Sequence, residues 1–146
     1  MKKLTIIIGI LIILGSFFIF SDKLNITGNV IGNSNKVITI PLSDISENAK
    51  WYEYEGIKYF IVKTNEGDIK TAFDACDICY GSKKGYSQQG DFMICNNCGN
   101  KYPISGLGTE NLRGGGCWPG YLPIEIEDGN VIIKISDLEK GRYRFE

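Results

Sequence analysis

Apolar and polar positions follow two different patterns along the 146 residues of this chain. The first pattern is unbroken. After Lys2 and Lys3, the seventeen residues Leu4 to Phe20 carry no charge. At about 1.5 Å per residue, such a run spans roughly 25 Å as a helix, near the lower limit for crossing a membrane. It has no polar face, which argues against a buried core helix. A cleaved secretory signal has a shorter apolar stretch and a small-residue cleavage site. Here Ser21 at −1 and Ile19 at −3 make a weak one. The favoured reading of residues 1–21 is therefore one N-terminal transmembrane helix kept as an anchor, with a cleaved signal as the alternative. Under both, Lys2 and Lys3 stay in the cytoplasm and the rest of the chain lies outside it.

Residues 22–35, rich in Asn, Gly and Ser, show no periodicity and read as a flexible linker. The second pattern, alternation, starts at about residue 36. "KVITIPLSD" alternates and turns at Pro41. "KWYEYEG" and "IKYFIVKT" are β-branched and aromatic runs joined at Glu55-Gly56, and "IKTAF" follows the turn "NEGD". "LPIEIEDGNVIIKIS" carries Ile124, Ile126, Val131 and Ile133 at alternating positions around Asp128-Gly129, a hairpin signal. No amphipathic helix stands out after the anchor, and "SDLEKGRYRFE" reads as a short closing segment. The body, residues 36–146, is expected to be all-β, with a cysteine-bearing insertion between strands. The aromatic residues Trp51, Tyr52, Tyr54, Tyr59 and Phe60 are expected to be core on one sheet face and cover on the other, not a binding surface.

Charge narrows the function classes. Without Lys2 and Lys3 the chain holds 14 basic against 17 acidic residues, and no basic run stands out, so nucleic-acid binding has no support. Most of the eighteen glycines lie from Gly81 onward, which points to a second half whose turns are shaped for something other than core packing.

That half carries the chemistry. In "CDICYGSKKGYSQQGDFMICNNCG", two CxxC pairs, Cys76/Cys79 and Cys95/Cys98, are separated by fifteen residues, and the chain has no histidine. A CxxC turn brings two sulfurs onto one tight loop, and two such loops facing each other make a four-thiolate site. Gly99 permits a positive φ, so that backbone N–H groups turn toward the sulfurs. Sulfur ligation of this kind suits an iron–sulfur cluster, a single iron, zinc or Cu(I). Disulfides are the main alternative in an exported domain, although an odd cysteine count fits them poorly. A thioredoxin-type motif needs a helix after its CxxC, whereas "YGSKKGYSQQG" reads as a loop. Thiol nucleophile catalysis lacks its usual histidine base.

Cys117, in "GGGCWPG", follows Gly114, Gly115 and Gly116 and precedes Trp118. A glycine run of this kind lets backbone approach a bound group closely, with Trp118 and Pro119 as a shield. Cys117 is read as a ligand, a redox partner or a thiol buried beside the site, in preference to an exposed free thiol.

Two resemblances attach to these residues. The order of elements, from "VITIPLSDI" through two ligand loops and a Gly/Pro-rich covering loop to the hairpin "IEIEDGNVIIKI", resembles a Rieske-type ferredoxin domain. Here Cys79 and Cys98 stand where a Rieske centre has histidines, and all-thiolate ligation lowers a reduction potential relative to histidine ligation. The longer segment with "CDIC", "CNNCG" and "GGGCWP" is similar to the FtrD-like membrane iron–sulfur family over roughly residues 38–138. That resemblance implies a membrane-attached, extracytoplasmic protein holding an iron–sulfur or related centre, with Cys76, Cys79, Cys95 and Cys98 as ligands and Cys117 in the third shared motif. Some relatives are associated with electron transfer in iron uptake.

The expectation is therefore a small Rieske-like antiparallel β domain behind one membrane helix. It carries electrons on an iron–sulfur centre, most simply a 2Fe–2S cluster, and is not itself an enzyme. Metal ligands are Cys76, Cys79, Cys95, Cys98 and Cys117, and Gly99, Gly114, Gly115, Gly116 and Trp118 line the cofactor. The expected partner is a redox or metal-transport membrane protein. The competing classes are a structural zinc module and a protein that delivers metal through exchangeable thiolates.

Overall fold

A computed structural model of the chain describes residues 36–146. The run Leu4–Phe20, and with it the expected membrane helix and the linker, lies outside the described residues. Among the described residues no helix is long and apolar enough to cross a membrane.

Among the described residues, nine strands form three antiparallel sheets. The first sheet holds β1 (Val37–Pro41), β9 (Asn130–Lys134) and β8 (Glu125–Glu127), in that order. The second holds β2 (Lys50–Tyr54), β3 (Ile57–Lys63) and β4 (Ile69–Phe73), and the third β5 (Tyr86–Gln89), β6 (Phe92–Cys95) and β7 (Lys101–Pro103).

The second sheet is the shared wall of two cores. Along β3, Ile57, Tyr59 and Ile61 face one way and join Ile40, Val131, Ile133, Phe73 and Leu138. Phe60 and Val62 face the other way and join Ala72, Met93, Leu107, Cys76 and Cys95. A strand buried on both faces reads as a continuous apolar run, which is why "YFIV" lacks polar alternation. The expectation for the aromatic residues holds for Tyr59 and Phe60, both buried, and for Tyr52 and Tyr54, which pack on the first core. Trp51 is exposed, tilted against Phe60 at 5.8 Å between ring centroids.

Both anticipated tight turns are present. Glu55 and Gly56 (φ 47° and 84°) join β2 to β3, and Asp128 and Gly129 (φ 48° and 75°) join β8 to β9. Two positive φ values in a two-residue loop are what the strand twist selects. Ile126 departs from expectation. It sits opposite Val131, but on the edge strand β8, and is exposed while Val131 is fully buried.

Two elements differ from the sequence expectation. The closing segment forms a short helix, α1 (Ile135–Lys140), whose Leu138 is completely buried in the first core. At six residues α1 is too short for helical periodicity to register in the sequence. The cysteine insertion lies between β4 and β8, as expected, but the stretch in it read as a loop contributes to a third sheet. The stretch "YGSKKGYSQQG" splits into a 3-10 turn (Tyr80–Ser82) and strand β5. The polar residues Ser87 and Gln88 mask β5 because its pairing with β6, not its own apolar content, holds it.

The insertion leaves and rejoins the second sheet at one point. Phe73 N–H donates to Gly120 O and Gly120 N–H donates to Ala75 O, each at 2.8 Å, and Ala72 pairs with Tyr121. Residues 76–119 therefore emerge from β4 and return beside it.

Candidate metal centre

The third sheet sets the cysteines. Cys95 ends β6 opposite Tyr86, the first residue of β5. Beyond Cys95 the chain turns back tightly. Gly99 N–H donates to Cys95 O at 2.8 Å, and Gly99 has φ 76°, the left-handed conformation anticipated for it. Cys95 N–H closes the same turn on Asn100 O at 3.0 Å. The first CxxC loop lies alongside. Asn96 N–H donates to Gly85 O and Asn96 Nδ2 to Lys84 O, so each ligand loop is fastened to the other.

The five sulfurs converge. Cys76, Cys79 and Cys117 form one group, and Cys79, Cys95 and Cys98 a second; within each, the Sγ atoms lie within 4.8 Å of one another. Cys79 belongs to both groups. Its Sγ is 3.5 Å from that of Cys117. None of the five is in a disulfide, so the alternative of structural staples has no geometric support. Exposure is graded, with Cys76 and Cys95 buried, Cys79 and Cys117 half-buried and Cys98 exposed.

The thiols differ in acidity. Burial raises Cys76, but N–H groups of Cys79 (3.0 Å to Sγ) and Ile78 and the Tyr86 hydroxyl outweigh it and hold Cys76 below the ordinary thiol value. Cys98, at the open end, is lowered chiefly by the Asn100 N–H. Burial pushes Cys95 up to about 11, and burial with the neighbouring Cys79 and Cys98 pushes Cys117 up to about 12. Each CxxC loop thus offers one acidic thiol, whereas Cys95 and Cys117 hold their protons more tightly and give them up more readily to a bound cation.

The expected cofactor-lining residues divide. Trp118 packs on the second core with its ring centroid 4.7 Å from Tyr102. It lies over Gly106, where a Cβ would come within 2.6 Å of the indole. Trp118 therefore pins the chain next to Cys117. Gly114, Gly115 and Gly116 all have positive φ (67°, 84° and 66°) and are exposed. The Gly115 N–H does not turn to a sulfur; it donates to Asp77 Oδ2 at 2.7 Å.

Asp77 is a site residue that the sequence reading missed. It occupies the first position between Cys76 and Cys79. Its Oδ1 accepts from Tyr143 Oη at 2.9 Å and from Arg144 Nε and Nη2 at 2.9 and 2.7 Å. One carboxylate thus joins the first ligand loop, the glycine loop before Cys117 and the C-terminal turn. Burial acts to raise its pKa, and these bonds outweigh it and hold the carboxyl below the usual range. Tyr86 was missed as well. Its hydroxyl donates to Cys117 O at 2.6 Å and lies against Cys76, with burial first and that thiol second in raising its pKa. An Asp inside a CxxC and an Arg near the C-terminus are individually ordinary, and only the fold brings them together.

Chemically, the donor set is five sulfurs, with no carboxylate in either group. Such a soft set fits iron, an iron–sulfur cluster, zinc or Cu(I), and does not fit magnesium or calcium. Residues 35–145 match the family described as FtrD-like, membrane iron-sulfur containing protein. No curated protein matches the chain.

Proposed function

The chain belongs to the FtrD-like family of membrane iron-sulfur containing proteins, and from that premise we propose that its domain is an electron carrier built around an iron–sulfur centre held by cysteine thiolates. The observation that carries the proposal is the convergence of Cys76, Cys79, Cys95, Cys98 and Cys117 in two groups that share Cys79. When bound, the centre supplies a one-electron couple. The ligands we assign to a 2Fe–2S centre are Cys76, Cys79, Cys95 and Cys98, with Cys117 as an adjoining thiol. The N–H groups of Ile78, Cys79 and Asn100 donate toward the thiolates and offset their excess negative charge. Trp118 and Tyr102 keep water from the Cys117 side, and exposed Cys98 leaves an edge through which an electron reaches a partner.

The Rieske-like reading, with cysteines in the histidine places, rests on the sequence order of the elements alone; the structure supports small antiparallel sheets with one short helix. The wider assignment is a domain outside the cytoplasm, anchored by residues 1–21 and working beside a redox or metal-transport membrane protein. A second reading, delivery of metal through exchangeable thiolates, is favoured by one feature. Cys98 is exposed and Cys79 is shared between the two groups, so a metal has a stepwise path across the site.

Anaerobic purification of the full chain, with iron, sulfide, zinc and copper counted per chain and a visible spectrum on the same sample, tests both. Iron with equivalent sulfide, and absorbance bleached by a reductant, supports the carrier. Iron without sulfide reduces the centre to a single-iron site. A colourless zinc protein, or metal lost within minutes to a chelator, rejects the carrier for the zinc module or for delivery.

A further inference from the structure

An open cleft of about 340 Å³ runs beside the cysteines, between the first ligand loop and the C-terminal turn. Cys76, Cys79 and Cys95 reach it from one side, and Lys58, Lys83, Lys84 and Arg144 line it. Two acidic residues also face it, Glu53 and Asp74. Asp74 is already engaged through Oδ1, which accepts from Trp51 Nε1 and from the Tyr86 N–H.

The surface around the cleft is basic in a chain that is acidic as a whole. Lys83 and Lys84, on the first ligand loop, line the cleft; Lys101 and Arg113 belong to the same insertion, three residues after Cys98 and two before Gly115, and are not in the cleft lining. None of these four is in an ion pair among the described residues. The acids of the same segment are Asp77, neutralised by Arg144; Asp91, turned away to Asn65 at the far end of the third sheet; and Glu110 beside Gly106. Apolar groups are exposed on the first ligand loop beside the cleft. Ile78, in the middle of the first CxxC, is 66% exposed, and Tyr80 and Tyr143 are exposed as well. Tyr80 and Tyr143 meet edge to face at 6.2 Å, and the Arg144 guanidinium lies over the Tyr143 ring at 4.5 Å. An exposed apolar patch beside a cleft with more basic than acidic side chains is the composition of a docking site, with the charges setting partner choice and encounter rate.

We propose that this face receives an acidic protein partner, whose carboxylates enter the cleft among Lys58, Lys83 and Lys84 while an apolar contact seats on Ile78 and Tyr80. The proposal rests on the electron-carrier reading, since it places the partner's edge against the cleft that Cys76, Cys79 and Cys95 line. It goes further in fixing the chemistry of that partner.

The test uses the full chain, loaded with its metal, in a neutral detergent. The reduced centre is reoxidised in a stopped flow by an anionic complex, cobalt(III)–EDTA, and separately by cationic hexaamminecobalt(III). The same sample is titrated calorimetrically with a hexaglutamate peptide. Expected are oxidation by the anion that salt slows, oxidation by the cation that salt does not slow, and peptide binding abolished by 0.5 M salt, where the Debye length lies between about 3 and 8 Å. The Lys83→Glu/Lys84→Glu variant should lose the peptide and slow the anionic oxidant roughly tenfold. Lys63→Glu, at the far end of β3, should do neither. Oxidation by the anion that salt does not slow, with no peptide binding, overturns the acidic partner while leaving the carrier intact. A centre that takes no electron overturns the carrier reading, and with it the redox purpose of the face. Binding to anionic lipid vesicles in place of the peptide assigns the face to a membrane surface and also overturns the proposal.

Discussion

Cys79 Sγ lies 3.5 Å from Cys117 Sγ, although the two residues are 38 positions apart in the chain. The contact joins the first ligand loop to the glycine loop and makes Cys79 the one thiol common to both sulfur groups. Loss of Cys79 takes a ligand from each group, whereas loss of Cys98 takes one from a single group. Cys79→Ser should therefore lower metal affinity by more than Cys98→Ser does, and by more than about tenfold. Metal per chain after dialysis against a graded chelator series measures this. Equal retention by the two variants would show that the shared position of Cys79 has no bearing on the centre.

The same contact sets the first oxidation product of the metal-free protein. Treatment with diamide, which takes up two electrons and two protons as a dithiol closes, should link Cys79 to Cys117 before either CxxC pair closes internally. Peptide mapping at early times reads the answer. A first product of Cys95–Cys98 would contradict it.

Asp77 gives a pH dependence with a definite sign. Its carboxyl is half-buried, which alone raises the pKa, but donors from Gly115, Tyr143 and Arg144 hold it below the unfolded value of about 3.9. A depressed carboxyl adds stability that is fully present above the unfolded pKa and fades as pH falls through the folded one. In the metal-free protein, Asp77→Asn should cost about 1–3 kcal/mol between pH 5 and pH 7. The gap from the parent should narrow below about pH 4. Urea midpoints of both proteins across that range test it; a constant gap down to pH 3 would remove Asp77 from the account.

Gly106 supports Trp118. A Cβ there would stand 2.6 Å from the indole, so Gly106→Ala must displace the ring from Tyr102. The expected cost is about 1–3 kcal/mol, the usual range for overpacking. Tryptophan emission should shift to the red as Trp118 gains water. An unshifted spectrum at full stability would mean that the ring has room the geometry denies.

Leu138 is the anchor of α1 and is fully buried. Leu138→Ala should destabilise the domain by about 2–5 kcal/mol. Because Leu138 sits in the first core and the cysteines border the second, metal content should stay at the parent level under native conditions. A loss of metal without unfolding would contradict the separation of the two cores.

What the sequence revealed follows the range of the interactions. Strands β1 to β4 and the hairpin of β8 and β9 were legible because their signals are local: β-branched runs, Glu55-Gly56 and Asp128-Gly129. The five cysteines were legible because CxxC spacing is itself local geometry. Strand β5 was not, since "YSQQ" owes its conformation to β6. Helix α1 was not, since one buried leucine fixes it. Asp77 could not be recognised because its partners Gly115, Tyr143 and Arg144 are 38, 66 and 67 residues away. The exposure of Ile126, too, depends on β8 being an edge, which no run of alternating residues states.

The single doorway through which residues 76–119 leave and rejoin the second sheet makes the cysteine-bearing part an exchangeable cassette. The bonds between Phe73, Ala75 and Gly120 hold the two ends of the excursion together whatever lies between them. Ligand spacing, loop length and even the kind of metal can therefore drift without moving the first sheet or α1. The cassette is not dispensable, however. Phe60, Val62 and Ala72 use it as their cover, so a chain that discarded it would bare an apolar sheet face. The fold leaves the contents of the site free to vary and fixes only that some packed insert must be there.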